Sequence, residues 1–197
     1  IFFRHRAHMS WRKVETPGEY GGVNVSSEIV VQTNDKAEYI LPRSATTLSK
    51  LLNDLLQDNE GEESTTVPLA NVDANTFESV ADYLVHYIEP NKPAVLEKPL
   101  KAALPELLNE WDRDYVYKKL YKDGNEKEHG LLFATLLAAN FLGIEPLRDL
   151  CCAAIANMLR GKTPEQIMEL FDVTEPFTPE EEANVEKQYP WIKPDRD

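Results

Sequence analysis

Three stretches of the chain repeat apolar residues at the i, i+3, i+4, i+7 spacing of a single helical face: residues 48–56, 77–88 and 147–158. Between the second and third, Leu131–Leu142 is apolar nearly all round, which predicts a helix buried in the middle of a core. A helix with an apolar face must bury it against another element. The spacing therefore predicts one shared core to which four helices contribute.

Short β-rich runs precede and follow the first of these helices. Ile29–Thr33 and Glu38–Leu41 flank the turn-forming residues 34–36, which predicts a β-hairpin. Val67-Pro68-Leu69 predicts a third strand at a sheet edge, because Pro68 has no N–H to donate to a neighbouring strand. The fold class is therefore α+β, with an α/β front half followed by a helical C-terminal half.

The charge balance excludes whole classes of function. The 197 residues hold 34 acidic and 21 basic side chains, a net charge of −13, so the surface repels a phosphate backbone. No run approaches the roughly 18 apolar residues of a membrane span. We therefore expect neither a nucleic-acid partner nor a membrane partner.

The two cysteines, Cys151 and Cys152, are adjacent. Adjacent positions on a helix point about 100° apart, so they do not form a redox pair of the CxxC type. The sequence predicts two buried structural thiols in a reducing compartment, with Cys151 on the apolar helical face.

The first residues differ in composition from the rest of the chain. Residues 1–13 are basic, and residues 16–27 are rich in glycine with one proline. We expect residues 1–27 to be a leader or an extension of artificial origin without ordered structure, with Met9 as a candidate start and Glu28 as the first ordered residue. A mitochondrial targeting segment is the alternative interpretation.

Two interior segments predict loops. Four prolines interrupt the residues after the second stripe and predict an insertion near 89–109, after which Glu110–Tyr121 is predicted to be helical until Gly124 ends it. The acidic run 58–63 lacks the ligand spacing of a calcium loop, so it predicts a solvated loop and no metal site.

The last part of the chain contains two clear helix starts. Gly161 ends the preceding helix, and both Thr163-Pro164-Glu165-Gln166 and Thr178-Pro179-Glu180-Glu181 have the pattern of a capping box with proline at the first helical position. The helices that follow are short and carry apolar side chains with few neighbours to cover them. Two alternatives remain open: these side chains fold back on the body's own core, or they form a partner-binding site.

No catalytic or cofactor motif is present in the sequence. The four histidines lack the spacing of a zinc site, and neither a nucleophile elbow nor a phosphate-binding glycine loop occurs. We therefore expect a protein without catalysis, metal or cofactor.

Three strings and one residue in the second half carry a family resemblance: Leu137–Ile144 (LAANFLGI), Ile155–Ile167 (IANMLRGKTPEQI), Phe177–Ala183 (FTPEEEA) and the terminal Trp191. They resemble the Skp family, the adaptors that hold F-box proteins in the SCF class of cullin-RING ubiquitin ligases. The likeness spans about residues 29–192, and the front half matches the family's BTB/POZ-like domain more loosely.

The resemblance implies a non-catalytic adaptor in the cytoplasm and nucleus. It implies a BTB/POZ-like domain over residues 28–145 and a helical extension over 146–197 that clasps an F-box protein. Asn140 and Phe141 fall at the cullin-binding position. The residues in the F-box-binding segment are Ile144, Leu147, Leu150, Ile155, Met158, Ile167, Phe171, Phe177 and Trp191.

The resemblance also marks Pro179 as a candidate modification site, because several protist members hydroxylate and then glycosylate a proline in this setting. The alternative is purely structural, since proline suits the first position of a helix, where its missing N–H would be unpaired.

The chain also departs from the family pattern. Phe141 stands where the family usually has tyrosine, Gly143 stands where an acid is common, and the region 90–121 is longer and differently composed than the family's acidic linker. The resemblance is therefore to a divergent member. The alternative function is a structural subunit of a kinetochore or ciliary assembly that holds an F-box-like protein without a cullin.

Overall fold

The computed structural model comprises two compact units, residues 1–160 and residues 161–197. The residues that it describes are 10–16, 18, 20, 23–24, 27–58, 66–121, 128–173 and 177–192. Met9, Gly124 and most of the acidic run 58–63 lie outside them. No helix among the described residues is long and apolar enough to span a bilayer.

A mixed sheet forms one side of the larger unit. In the described residues its strand order is β1 (Arg12–Lys13), β3 (Glu38–Pro42), β2 (Glu28–Thr33) and β4 (Thr66–Leu69). Strand β2 runs antiparallel to β3, with Val31 opposite Tyr39, and parallel to β4, with Val31 opposite Val67. The predicted hairpin and the predicted edge strand around Pro68 are both confirmed.

Strand β1 corrects the expectation that ordered structure begins at Glu28. The segment pairs with β3, and the Val14 N–H donates to the Glu38 carbonyl oxygen at 2.8 Å. Arg12 also forms an ion pair with Glu28 at 2.7 Å, and the Arg12 guanidinium lowers the pKa of that carboxyl group. The basic segment around Arg12 thus pairs with the edge of β3 and forms an ion pair with Glu28. The sequence did not predict this strand, because two residues are too few to show a β-strand periodicity.

Helices cover the sheet and complete the core. They are a 3₁₀ segment (Arg43–Leu48), α1 (Lys50–Asp58), α2 (Ala74–His86), α3 (Leu104–Leu107), α4 (Glu110–Asp114) continued by a π-helical segment (Tyr115–Leu120), α5 (Gly130–Leu142) and α6 (Glu145–Leu159). Helix α5 packs against α2 and α6, and all three predicted stripes contribute buried residues. The Asp73 carboxylate caps α2 by accepting from the Thr76 N–H.

The insertion lies along α6. Residues 91–103 contain no regular helix, as their prolines predict. The Lys98 ammonium is 2.8 Å from the Asp149 carboxylate, and the Leu104 N–H donates to Asn157 Oδ1 at 3.1 Å. The insertion is therefore fixed to α6 at two places.

The smaller unit contains α7 (Pro164–Leu170), α8 (Pro179–Gln188) and a 3₁₀ turn (Pro190–Ile192). Both capping boxes are confirmed: the hydroxyl oxygens of Thr163 and Thr178 accept from the N–H groups of Gln166 and Glu181, each at 3.3 Å. Hydrogen bonds from Thr178 lower the pKa of Glu181. Proline at the first position of each helix leaves no N–H unpaired.

Candidate partner-binding surfaces

The C-terminal end of α5 exposes one face, which corrects the expectation of a helix buried all round. Leu132, Thr135, Ala138, Ala139 and Leu142 are buried. On the opposite side Leu137 is 70% exposed, Phe141 is 39% exposed and Asn140 is exposed. These three residues, spaced i, i+3, i+4, form one surface that we call the α5 face.

Gly143 determines how this face ends. Its φ of 66° is left-handed, a conformation that glycine adopts without penalty. A Cβ at this position would lie 2.9 Å from Lys50 Cβ, and the neighbouring Ser49 hydroxyl donates to the Leu142 carbonyl at 2.7 Å. The close approach of Lys50 and the left-handed backbone thus explain why glycine stands at position 143.

The α5 face has the chemistry of a protein contact. No residue of α5 is charged, so an incoming partner would meet one amide and two apolar side chains without desolvating an ion. Exposed leucine and phenylalanine on one helical face are typical of interaction surfaces. Leu137 was missed by the sequence analysis, although its position three residues before Asn140 was a usable signal.

The predicted F-box residues of α6 and its N-cap divide into two groups. Ile144, Leu147, Leu150 and Met158 are buried in the larger unit, because their stripe is the face of α6 that packs on the core. Ile155 is only partly buried. Of these five residues, the free chain therefore offers Ile155 to a partner and uses the other four as core.

The smaller unit exposes large apolar side chains. Trp191 is 80% exposed, Phe177 is 69% exposed, and the Tyr189 ring lies 6.2 Å from the Trp191 ring, centroid to centroid. Ile167 and Phe171 are partly buried. Among the described residues of the smaller unit, none covers Phe177 or Trp191.

Two other predictions concern α6 and α8. Burial raises the pKa of the Cys151 thiol, whereas Cys152 is exposed, so the expectation of two buried thiols is wrong for Cys152, which lies about 100° around the helix. Pro179 is exposed at the first position of α8.

The described residues show no arrangement suited to metal binding. Among them, no cluster of three or more His, Cys, Asp or Glu side chains is placed to hold an ion.

Comparisons with known proteins match both halves of the chain. Residues 27–89 match the model described as Skp1 family, tetramerisation domain, and residues 145–192 match the model described as Skp1 family, dimerisation domain. The chain is 32% identical over 167 residues to the SCF ubiquitin ligase complex protein SKP1a of Dictyostelium discoideum, which covers 85% of this chain and 96% of that protein.

Two further relatives match over a similar length. The suppressor of kinetochore protein 1 of Schizosaccharomyces pombe is 31% identical over 168 residues, with 85% of this chain and 98% of that protein covered. The E3 ubiquitin ligase complex SCF subunit sconC of Talaromyces stipitatus is 29% identical over 169 residues, with 86% of this chain and 99% of that protein covered.

Proposed function

The chain belongs to the Skp1 family, and from that premise we propose that it is a non-catalytic adaptor subunit of an SCF-type ubiquitin ligase that links an F-box protein to a cullin. The observation that carries the proposal is the exposure of Phe177 and Trp191 in a unit of 37 residues. A unit of this size has little core of its own, and large exposed apolar side chains in it favour a partner that covers them.

The F-box arm is the set of predicted F-box residues that are accessible in each unit taken by itself. On α6 the accessible residue is Ile155, and in the smaller unit the residues are Ile167, Phe171, Phe177 and Trp191. Aromatic anchors of this kind contribute most of the binding free energy in many interfaces. Ile144, Leu147, Leu150 and Met158 support this arm indirectly by packing α6 onto the core.

The cullin arm is the α5 face. Leu137 and Phe141 provide apolar area, and Asn140 provides an amide that both donates and accepts hydrogen bonds. The left-handed turn at Gly143 and the bond from Ser49 to the Leu142 carbonyl fix the helix end, so the face is preorganised for a partner.

A structural subunit that holds an F-box protein without a cullin is the second candidate function. Two residues favour this function. Phe141 lacks the hydroxyl of the tyrosine that is usual in the family, and Gly143 stands where an acid is common in the family. The two functions share the F-box arm and differ only in whether a cullin binds the α5 face.

Affinity purification of the full chain with mass spectrometry distinguishes the two functions. F-box proteins and cullins are scored separately, for the wild type and for an Asn140→Ala, Phe141→Ala double variant. Recovery of both classes by the wild type supports the ligase adaptor, and recovery of F-box proteins alone supports the structural subunit. If the wild type recovers neither F-box proteins nor cullins, both proposed functions are contradicted. Fractionation should place the chain in the cytoplasm and nucleus, reducing compartments in which two free thiols persist.

A further inference from the structure

A pocket of about 670 Å³ opens between the insertion and the outer side of α6. Leu96, Pro99 and Leu100 line it from the insertion, and Ala153, Ala156 and Leu159 line it from α6. This volume lies within the range of about 300–1,000 Å³ typical of binding pockets, and an apolar lining is typical of them too.

The insertion forms a fixed wall of this pocket. The ion pair between Lys98 and Asp149 and the hydrogen bond from the Leu104 N–H to Asn157 hold it against α6 on both sides of Leu100. The hydrogen bond from Lys98 also lowers the pKa of Asp149, so the Asp149 carboxyl group is ionised at neutral pH. The pocket therefore exists in the free chain and does not need a partner to form it.

The charges at the pocket limit what can bind there. Its charged lining residues are Lys98, Asp149 and Arg160, which give a local excess of one positive charge in a chain of net charge −13. The backbone N–H of Arg160 donates to the Ala156 carbonyl at 3.1 Å, whereas the Arg160 guanidinium has no hydrogen-bond or ion-pair partner among the residues that the structure describes. A carboxylate next to an apolar side chain would complement this rim.

The surroundings of the pocket indicate a protein partner. Val95, beside the wall, is 93% exposed, and the partly buried Ile155 lies on the same helix within one turn of Ala156 and Leu159. The pocket is therefore continuous along α6 with the accessible part of the proposed F-box arm. A helix bearing one apolar anchor and a nearby acid is the simplest complement to such a groove.

We propose that this pocket extends the F-box arm: it receives an apolar anchor side chain from an amphipathic helix of the F-box protein, and a carboxylate of that helix meets Arg160. The insertion then selects among F-box proteins, because its residues form half of the pocket. This inference rests on the proposed adaptor function.

Calorimetry with the full chain and the F-box protein that it captures most abundantly, produced in full length, tests the pocket. Ala156→Trp fills the pocket from an exposed helical position, and Gln57→Trp on α1 is the matched control because Gln57 is also exposed and helical. We expect Ala156→Trp to weaken binding at least about tenfold, as loss of an anchor does, and Gln57→Trp to leave it unchanged. Equal affinities for wild type and Ala156→Trp would overturn the proposal.

The wall is tested separately by a Leu96→Ser, Leu100→Ser double variant and by Arg160→Glu. Each should weaken binding at least about tenfold while the melting temperature of the free chain stays close to wild type. Tighter binding by the double variant would mean that the insertion shields α6 from the partner, and that result overturns the proposal. Light scattering tests whether a second copy of the chain fills the pocket instead. A wild-type dimer that Ala156→Trp dissociates would show this, and that result also overturns the proposal.

The exposed thiol of Cys152 reports on the occupied pocket, since Cys152 lines it and Cys151 is buried. A saturating F-box protein should slow the reaction of Cys152 with Ellman's reagent, and Cys152→Ser should abolish the fast phase. An equal rate in the free and bound chain would overturn the proposal. Failure to capture any F-box protein with the wild type would instead reject the adaptor function itself, whereas normal capture by all pocket variants would reject only the pocket.

Discussion

The indole N–H of Trp11 donates a hydrogen bond to Asp82 Oδ1, 2.6 Å away, and so joins two residues that are 71 positions apart in the chain. Lys119 pairs with the other oxygen of the same carboxylate. The Trp11 ring also meets Tyr39 edge-on, with centroids 5.7 Å apart. The Asp82 carboxylate on α2 therefore links the segment of strand β1 to the π-helical segment. Trp11, which precedes the matched residues 27–89, is thus part of the folded unit.

We expect Trp11→Phe to lower the free energy of unfolding by about 1.5–3 kcal/mol, the contribution of a hydrogen bond to a charged group. Trp11→Ala should cost more, since it also removes the contact with Tyr39. Urea unfolding followed by circular dichroism measures both. Arg12→Ala is the control: its ion pair is exposed and should contribute at most about 1 kcal/mol. Wild-type stability in Trp11→Ala would show that the Trp11 contacts add no stability.

The C-terminal anchors should affect binding and leave stability unchanged. Phe177→Ala and Trp191→Ala each remove an exposed ring, so the melting temperature of the free chain should stay near that of the wild type. Binding to an F-box protein should weaken by about 2 kcal/mol or more, as for a buried aromatic anchor. Calorimetry measures the binding free energy, and thermal melts measure the melting temperature of the free chain.

A core leucine is the comparison for these two variants. Leu84 is fully buried, so Leu84→Ala should cost about 2–5 kcal/mol of stability, the usual cost of a cavity. If Trp191→Ala destabilises the free chain as much as Leu84→Ala does, Trp191 is a core residue and the F-box arm loses its main anchor.

The α5 face should bind a cullin independently of the F-box arm. The Asn140→Ala, Phe141→Ala double variant and the single variant Leu137→Ser should each abolish or sharply reduce cullin recovery and retain the F-box protein, since all three residues are exposed on one face. Quantitative mass spectrometry of captured complexes provides the ratio. Equal loss of both partners would mean that the helix end has a structural role.

Much of this architecture could be predicted from the sequence because its signals are local. The helical spacing of apolar residues predicted α2 and α6, and the turn residues 34–36 predicted the hairpin. The two capping boxes predicted where α7 and α8 begin. Each of these signals lies within a few residues of the chain.

The errors have a common physical origin, which is contact between distant segments. Strand β1 forms because Arg12 and Trp11 meet acids far along the chain, and the exposure of Leu137 depends on which neighbours pack around α5. The pocket depends on the insertion returning to α6. No local pattern encodes the contacts of strand β1 or the pocket, so only the assembled structure reveals them. For the exposure of Leu137, the one local signal was its i, i+3 spacing to Asn140.

A buried carboxyl group predicts a specific dependence of stability on pH. Asp112 accepts from the Tyr87 hydroxyl at 2.7 Å and from the Asn109 amide at 2.8 Å, and burial raises its pKa. The folded chain then binds a proton at Asp112 at a higher pH than the unfolded chain does. The contribution of Asp112 to stability should therefore fall as pH rises from about 4, the unfolded pKa of aspartate, through the folded pKa.

Asp112→Asn isolates this contribution because asparagine does not titrate. The free energy of unfolding of the wild type minus that of Asp112→Asn should decrease as pH rises from about 4 to 7, even if the variant is less stable at every pH. Urea unfolding at closely spaced pH values measures the difference. A constant difference would show that the Asp112 pKa is not raised in the fold.

Pro179 provides the last test, which concerns modification. Its ring is exposed at the first position of α8, where the Thr178 hydroxyl and the Glu181 carboxylate complete the capping box, so the helix start is ordered and accessible. A hydroxyl group added to the exposed ring would displace no packed side chain, and we expect the protein from its native cell to carry one, with or without a sugar. Peptide mapping by mass spectrometry should find the Pro179 peptide with one added oxygen, and the same peptide of a Pro179→Ala variant without it. An unmodified Pro179 peptide under every growth condition would leave proline with its structural role alone, in which its fixed φ preorganises the first turn of the helix.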